Sequence, residues 1–385
     1  MSRSAQAAPG SGEEAPDIHL VAPPGLEPEL AAEARERGFA PARPVPGGVL
    51  VEGGLPEAIR ANLELRGAVR VLLALARFRA PHLARLERGL RRIDWARWLR
   101  PDVPVRVQAS CRRSRIWHEG AAAERLVRAV RAAVAAPVSV GASDPASVGL
   151  RLHILDDLVT LSLDTSGGPL HRRGFKQAVG GAPLRETTAA LILRRAGWSR
   201  EEPLLDPMCG SGTFLIEAAE IAAGLAPGRA RPFAFELLAG FDADALAAAR
   251  ARPLAPPVEP PPLILGLDRE GGAIAAARAN AERAGVAGRI RLARAEIGAL
   301  RRPPGPPGLV VVNPPWGRRL GGRGLGTLHR RLGSSLAREL GGWRVALITP
   351  DAGLARATGL PLEPCGPPFP AGGVRLKLWL GVVPG

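Results

Sequence analysis

Tyrosine is absent from this 385-residue chain, lysine occurs only at Lys176 and Lys377, and asparagine only at Asn62, Asn280 and Asn313. The three cysteines, Cys111, Cys209 and Cys365, are too few and too widely spaced for a disulfide framework or a zinc site. They suit a reducing, cytoplasmic setting. No uninterrupted apolar run reaches membrane-spanning length, so no membrane partner is expected. Residues Met1 to Pro16 are small and polar with no apolar h-region, and are expected to form a disordered tail rather than a secretory signal. None of the six histidines stands in a ligand pattern with cysteine or acid, so no metal is expected. The scarcity of lysine resembles the habit of a GC-rich genome, which writes arginine instead. That habit explains the choice of base but not the surplus: 52 Lys and Arg face 36 Asp and Glu, a formal net charge of +16. A polyanion is the natural partner for such a surface.

What is present is enough for two or three domains with real cores. From Ile18 the pattern reads strand, glycine turn, helix to Gly38, then a short strand over Gly47 to Val51. Residues 55 to 77 carry apolar positions at helical spacing. A second unit follows over 83–165. It holds Trp95 and Trp98, an alternating strand Val103 to Ala109, a helix over Gly120 to Ala135, and strands Gly149 to Ile154 and Leu158 to Asp164. Arg112, Arg113 and Arg115, beside Trp117 and His118, make a basic loop that reads either as a phosphate-contacting surface or as a solvated charged face. From 166 onward strands and helices alternate, which predicts an α/β domain with a doubly wound, mostly parallel sheet. Its strands are expected to start near Leu204, Leu263, Val310 and Arg344, with Val374 to Val383 as an edge.

Two strand-to-loop junctions carry the chemistry. In the first, Leu204-Leu205 runs into Asp206-Pro207-Met208-Cys209-Gly210-Ser211-Gly212-Thr213, directly before a helix. Glycines here let the backbone turn sharply and approach a ligand, and a helix N-terminus offers free amides. No Gly-Lys-Ser/Thr follows, and Leu215 stands where a dinucleotide fingerprint needs its third glycine. A cofactor without a pyrophosphate fits better, and S-adenosylmethionine is such a cofactor. Its ribose hydroxyls need an acid at the end of the next strand. Asp242 and Asp244 lie at the usual spacing, but 235–250 reads as helix, where Asp242 would be a cap. Asp268, which ends the run Leu263 to Leu267, is preferred.

In the second junction, Leu309-Val310-Val311-Val312 runs into Asn313-Pro314-Pro315-Trp316. The exocyclic amine of a nucleobase is a poor nucleophile because its lone pair is conjugated with the ring. The side-chain oxygen of Asn313 and the carbonyl of Pro314 can each accept one of its hydrogens and localise that lone pair. Two prolines stiffen the loop, and Trp316 offers a face for stacking a flipped base. Each junction alone also reads as a plain tight turn. Together, in this order, they read as the cofactor loop and catalytic loop of an amino-methyltransferase.

With these residues in place, the chain resembles the THUMP-domain class I RNA guanine-N2 methyltransferases, of the bacterial 23S rRNA large-subunit methyltransferase L type. The resemblance rests on Gly25-Leu26-Glu27, Gly47-Gly48-Val49 and Arg66 to Leu75. It also rests on Val105 to His118, His171-Arg172-Arg173-Gly174-Phe175, Ala182-Pro183-Leu184-Arg185-Glu186-Thr187 and the two junctions, Asn313-Pro314-Pro315-Trp316-Gly317 included. It implies a ferredoxin-like domain over 17–75, a THUMP RNA-binding domain over 76–165 and a Rossmann-like methyltransferase domain over 166–385. It also implies that Asp206, Met208 to Thr213, Asp268 and Asn313 meet the cofactor, with Glu296 facing the adenine amine. An insertion common in the family before the ribose acid supports Asp268 over Asp242. The length implies a single methyltransferase module. Trp316 departs from the family's usual Tyr, and Glu296 from its usual Asp. The implied partner is RNA, 23S rRNA first and tRNA second. A DNA amino-methyltransferase, or an RNA-binding assembly factor without catalysis, are the alternatives.

Overall fold

Strands of the N-terminal half alternate apolar and polar residues, while the central strands of the C-terminal half are continuous apolar runs. The two patterns build two different sheets. The computed structural model describes residues 17–142, 146–177, 184–315 and 321–385, with Asp17 and residues 321–323 described by backbone alone; the expected tail lies outside them.

The first sheet draws on β1 (Asp17–Val21), α1 (Glu27–Glu36), β2 (Arg43–Val45), β3 (Gly48–Glu52), α2 (Leu55–Glu64) and β4 (Arg70–Arg79). It continues through α3 (Leu83–Leu90), β5 (Val105–Arg112), α4 (Glu119–Ala133), β6 (Val138–Val140), β7 (Val148–Leu155) and β8 (Leu158–Asp164). Its eight strands run in the order β2-β3-β1-β4-β8-β7-β5-β6. On β5, β7 and β8 the side chains of Val105, Val107, Leu150, Leu152, Ile154, Val159, Leu161 and Leu163 are buried, and α4 packs on β5 and β7. Gln108, Ser110, Arg151, His153, Thr160 and Ser162 alternate with them and line a concave pocket of about 580 Å³ on the sheet.

One expectation is overturned here. Residues 55 to 77 do not form one helix. The helix ends at Glu64, Leu65 is extended, and 70–79 is strand β4. Val71 and Leu73 are fully buried, and the backbone pairs with β1 on one side and β8 on the other. A helix in the middle of the sheet would leave both neighbours without partners, so tertiary pairing overrides a helix-compatible spacing. β4 also carries the expected 75/76 boundary in its interior, so the first two units share one sheet.

The second sheet comprises β9 (Leu204–Asp206), β10 (Ile264–Asp268), β11 (Arg291–Arg294), β12 (Leu309–Val312), β13 (Arg344–Thr349), β14 (Glu363–Ala371) and β15 (Val374–Val382). Between them lie α6 (Thr213–Ala222), α7 (Ala243–Ala251), α8 (Gly271–Arg283), α9 (Gly321–Glu339) and α10 (Ala352–Ala357); α5 (Glu186–Arg195) precedes the sheet. The order is β11-β10-β9-β12-β13-β15-β14. Pairing is parallel from β11 through β13, and β15 is antiparallel to both β13 and β14. The expected edge, Val374 to Val383, is therefore an interior strand. The edge is β14, whose Pro364, Pro367, Pro368 and Pro370 are tolerated because one side of it has no ladder to complete. Asp242 caps α7 by accepting from Ala245 N at 2.9 Å.

Candidate active site

After β9 the chain moves outward to β10 and β11, then returns to the other side of β9 for β12 and β13. The direction of winding reverses between β9 and β12, and a crevice opens at such a point beyond the carboxyl ends of the strands. Both junctions named above leave the sheet there. β9 ends at Asp206 and β12 at Val312, side by side and parallel, with Leu204 and Leu205 in register with Leu309 and Val310. Residues more than a hundred positions apart are thereby brought to one place.

The glycine loop is held from three directions. Asp206 is buried, and its Oδ1 accepts from Met208 N at 3.1 Å. Burial, reinforced by the nearby Asp268 charge, pushes its carboxyl up to about 8 against the one backbone hydrogen bond that lowers it. Cys209 is buried, its N donates to Leu267 O at 2.9 Å, and burial raises its thiol. Ser211 is held through its carbonyl, which accepts from Asn280 Nδ2 of α8 at 3.1 Å. Gly212 caps α6 at φ +83° in the left-handed region, and a Cβ there would stand 3.1 Å from Ala277 Cβ. Thr213 opens the helix, and its Oγ1 accepts from Lys176 Nζ at 2.9 Å.

Asp268 lies at the end of β10 and faces this loop. Its Oδ2 accepts from Gly210 N at 2.9 Å and its Oδ1 from Glu270 N at 3.0 Å. It is half-buried, so lone pairs of both oxygens stay open to a ligand's hydroxyls. Gly210 is left-handed at φ +52°, with no atom within 4 Å of where a Cβ would be. A diol-bearing cofactor fits an acid, an open glycine cradle and a helix N-terminus in this arrangement. Asn313 is half-buried, Pro314 buried and Pro315 exposed at the neighbouring strand end. Trp316 and Gly317 lie outside the described residues, as do Ala182 and Pro183. Glu296 is exposed, at the turn following β11.

The basic loop follows β5, a strand of the other sheet. Arg112 is exposed. Arg113 donates to both carboxylate oxygens of Asp156 at 3.0 and 2.9 Å, and Arg115 lies 3.7 Å from Asp157, whose Oδ1 also takes Arg115 N at 2.8 Å. Two of the three arginines are thus partly neutralised by the β7–β8 turn. Trp117 beside them is 76% exposed, the largest exposed apolar side chain among the described residues. Sequence reading placed Trp117 near the loop but assigned it no role, since only the fold shows that it is bare. Lys176 was missed altogether; its rarity in a chain with two lysines was the available signal.

The fold is that of class I methyltransferases. The chain belongs to the RMKL-like methyltransferase family: residues 173–360 match the RMKL-like methyltransferase domain, and residues 17–72 match the RlmL ferredoxin-like domain. It is 32% identical to a putative RNA methyltransferase of Synechocystis, over 87% of this chain and 89% of that protein. It is 40% identical to ribosomal RNA large subunit methyltransferase K/L of Methylococcus capsulatus, over 89% of this chain and 48% of that protein. The chain spans about half the length of the K/L relatives it matches. Among solved structures it resembles SMU.472, a putative methyltransferase complexed with SAH, with a TM-score of 0.83 and 25% identity, covering 96% of this chain and 99% of that one.

Proposed function

We propose that this protein transfers a methyl group from S-adenosylmethionine to the exocyclic N2 amine of a guanosine in RNA, with 23S rRNA as the leading substrate. The observation that carries the reading is the parallel pairing of β9 with β12 at the reversal of the sheet. It sets the glycine loop and Asn313-Pro314 at one crevice. Asp268 would hold the ribose hydroxyls, while Met208, Gly210, Ser211 and Thr213 flank the rest of the cofactor and Asp206 and Cys209 shape the loop from behind. Glu296 is the acid offered to the adenine amine. The bound cofactor supplies a methyl group on a positively charged sulfur, which becomes neutral as the methyl leaves.

The protein's part is to present the amine. Asn313 Oδ1 and the Pro314 carbonyl accept its two hydrogens, which draws the lone pair out of conjugation and aims it at the methyl group. The N–C bond forms as the S–C bond breaks, and the amine gives one proton to solvent. Trp316 would stack on the flipped base.

Residues 76–165 act in this reading as a THUMP-type module that binds RNA. Exposed Arg112 and Trp117 and the concave pocket lined by Ser110, Arg151 and His153 support it, since an exposed cation and a bare indole suit phosphate and an unstacked base. The names of the K/L relatives favour large-subunit rRNA as substrate.

The test is tritium transfer from labelled S-adenosylmethionine to separated total tRNA and deproteinised 23S rRNA from a strain lacking the gene, with Asn313→Ala as control. Label in 23S rRNA as N2-methylguanosine, lost in the variant, is the expected result. Label in tRNA alone keeps the chemistry and changes the substrate. Cofactor binding without transfer to either RNA points to a ribonucleoprotein substrate. Failure to bind the cofactor overturns the reading.

A further inference from the structure

Arg66 and Arg173 have no part in the chemistry above, yet they are among the most enclosed charges in the molecule, 5% and 2% exposed. Arg66 follows α2, in the region of the first sheet. Arg173 lies on the segment that links the two sheets. Both reach into the second half. Arg66 Nη1 donates to Glu217 Oε2 and to Glu220 Oε2, each at 3.0 Å, and its Nη2 donates to the Leu225 carbonyl. Arg173 Nε donates to Glu217 Oε1 at 3.2 Å, and Arg229 pairs with Glu220 at 2.6 Å. Glu33 of α1 closes the cluster by accepting from Arg66 N and Gly67 N at 2.6 and 2.9 Å.

Glu217 and Glu220 both lie on α6, the helix whose N-terminus is the glycine loop. Neither has any exposed surface. The rest of the helix, Thr213-Phe214-Leu215-Ile216 and Ala218-Ala219, then Ile221-Ala222, is otherwise almost wholly apolar. Two carboxylates inside such a helix are strongly disfavoured unless cations meet them. The cations come largely from residues before 174, outside the sheet that α6 packs on. Glu217 is one helical turn from Thr213, whose hydroxyl is itself held by Lys176 of the linking segment, and Lys176 also pairs with Glu186 at 3.2 Å. The helix that carries the loop is therefore met by one charge from the N-terminal region, Arg66, and by Arg173, Lys176 and Arg229 from the second half.

We propose that Arg66 and Arg173 are positioning residues for the cofactor loop, acting through Glu217 and Glu220 of α6, so that the N-terminal region is part of the cofactor site rather than only a device for holding RNA. This rests on the proposed use of S-adenosylmethionine.

The test compares the full-length parent with Arg66→Met, Arg66→Lys and Glu220→Gln. It uses calorimetric titration with S-adenosylhomocysteine and steady-state RNA methylation, with thermal melting to check the fold. For Arg66→Met, about a tenfold or greater rise in the S-adenosylhomocysteine Kd and the cofactor KM is expected. The kcat and the RNA KM should stay close to the parent's. Arg66→Lys should recover most of the affinity, because it returns a cation to the two carboxylates. Glu220→Gln, which removes one charge and keeps the shape, should show a smaller loss in the same direction; it decides the matter if Arg66→Met does not fold. Folded variants with parental Kd and cofactor KM, or a fall in kcat alone, would overturn the proposal and leave the cluster a purely structural tie. A parent that binds no S-adenosylhomocysteine would overturn the proposed function, and this proposal with it.

Discussion

The basic loop after β5 and the glycine loop after β9 both follow a strand end, but they are built in opposite ways. In the first, Arg113 and Arg115 reach out from the surface to exposed Asp156 and half-buried Asp157. In the second, Asp206, Cys209 and Gly212 are enclosed, neighbours on α8 and β10 hold the backbone, and Lys176 of the linking segment holds the Thr213 hydroxyl. Exposed ion pairs contribute little, because water screens them and the side chains lose freedom to form them. Enclosed hydrogen bonds and a left-handed glycine leave the chain few other conformations. The loop proposed to meet RNA is therefore adaptable, and the loop proposed to hold the cofactor is preorganised.

The contrast can be tested from its strongest term downward. Asn313→Ala should reduce methyl transfer roughly 100- to 1,000-fold, the scale for losing one acceptor or donor aimed at the reacting group. S-adenosylhomocysteine affinity should fall far less, as judged by single-turnover kinetics beside calorimetry. Gly212→Ala should weaken cofactor binding about tenfold. A left-handed alanine costs roughly 1–2 kcal/mol, and its Cβ would crowd Ala277. Isothermal titration would show it, and an unchanged Kd would mean the loop is looser than its geometry.

Asp206 tests the enclosed side by pH. Its folded carboxyl is raised to about 8, so the folded state holds a proton that the unfolded chain has already released. The parent should therefore lose stability as pH rises from the ordinary Asp range toward 8. Asp206→Asn keeps the acceptor for Met208 N and should remove that loss, flattening the melting temperature against pH by a few degrees. A parallel fall in both proteins would refute the assignment. Arg112→Ala should have a small effect, a few-fold weaker RNA binding at all sequences, with the salt slope reduced by about 1. Arg113→Ala should do less still, since Asp156 already holds that guanidinium. Filter binding across salt concentrations ranks the two.

Much of this was legible along the chain because it depends on neighbours in sequence. Leu309 to Val312 reads as a buried strand, and Asp206 to Thr213 reads as a strand-to-helix turn. Asp268 was preferred to Asp242 because it ends an apolar run, and the structure places it on Gly210 N and Asp242 on a helix cap. Where the reading failed, a distant partner decided. Val71 to Ala76 fits a helix until β1 and β8 are present to pair with it. Pro364 to Pro370 hides a strand that only an edge position permits. Arg291 to Arg294 shows too little apolar pattern to stand out, and forms β11 by pairing with β10. The linkage of Arg66 to Glu217 and Glu220 spans 151 and 154 residues and leaves no local pattern at all.

The amino-acid sequence by itself determined the two chemical junctions, the largely parallel sheet of the C-terminal half and the excess of positive charge. Each of these is set by residues adjacent or a few positions apart, where backbone sterics and side-chain period act directly. Only the tertiary structure decided that the two junctions share one crevice and that β4 is a strand. It alone joined the cofactor helix to the N-terminal region through buried charges. Burial changes the energy of a carboxylate or an unpaired strand by more than any local preference, and burial is a property of the whole fold.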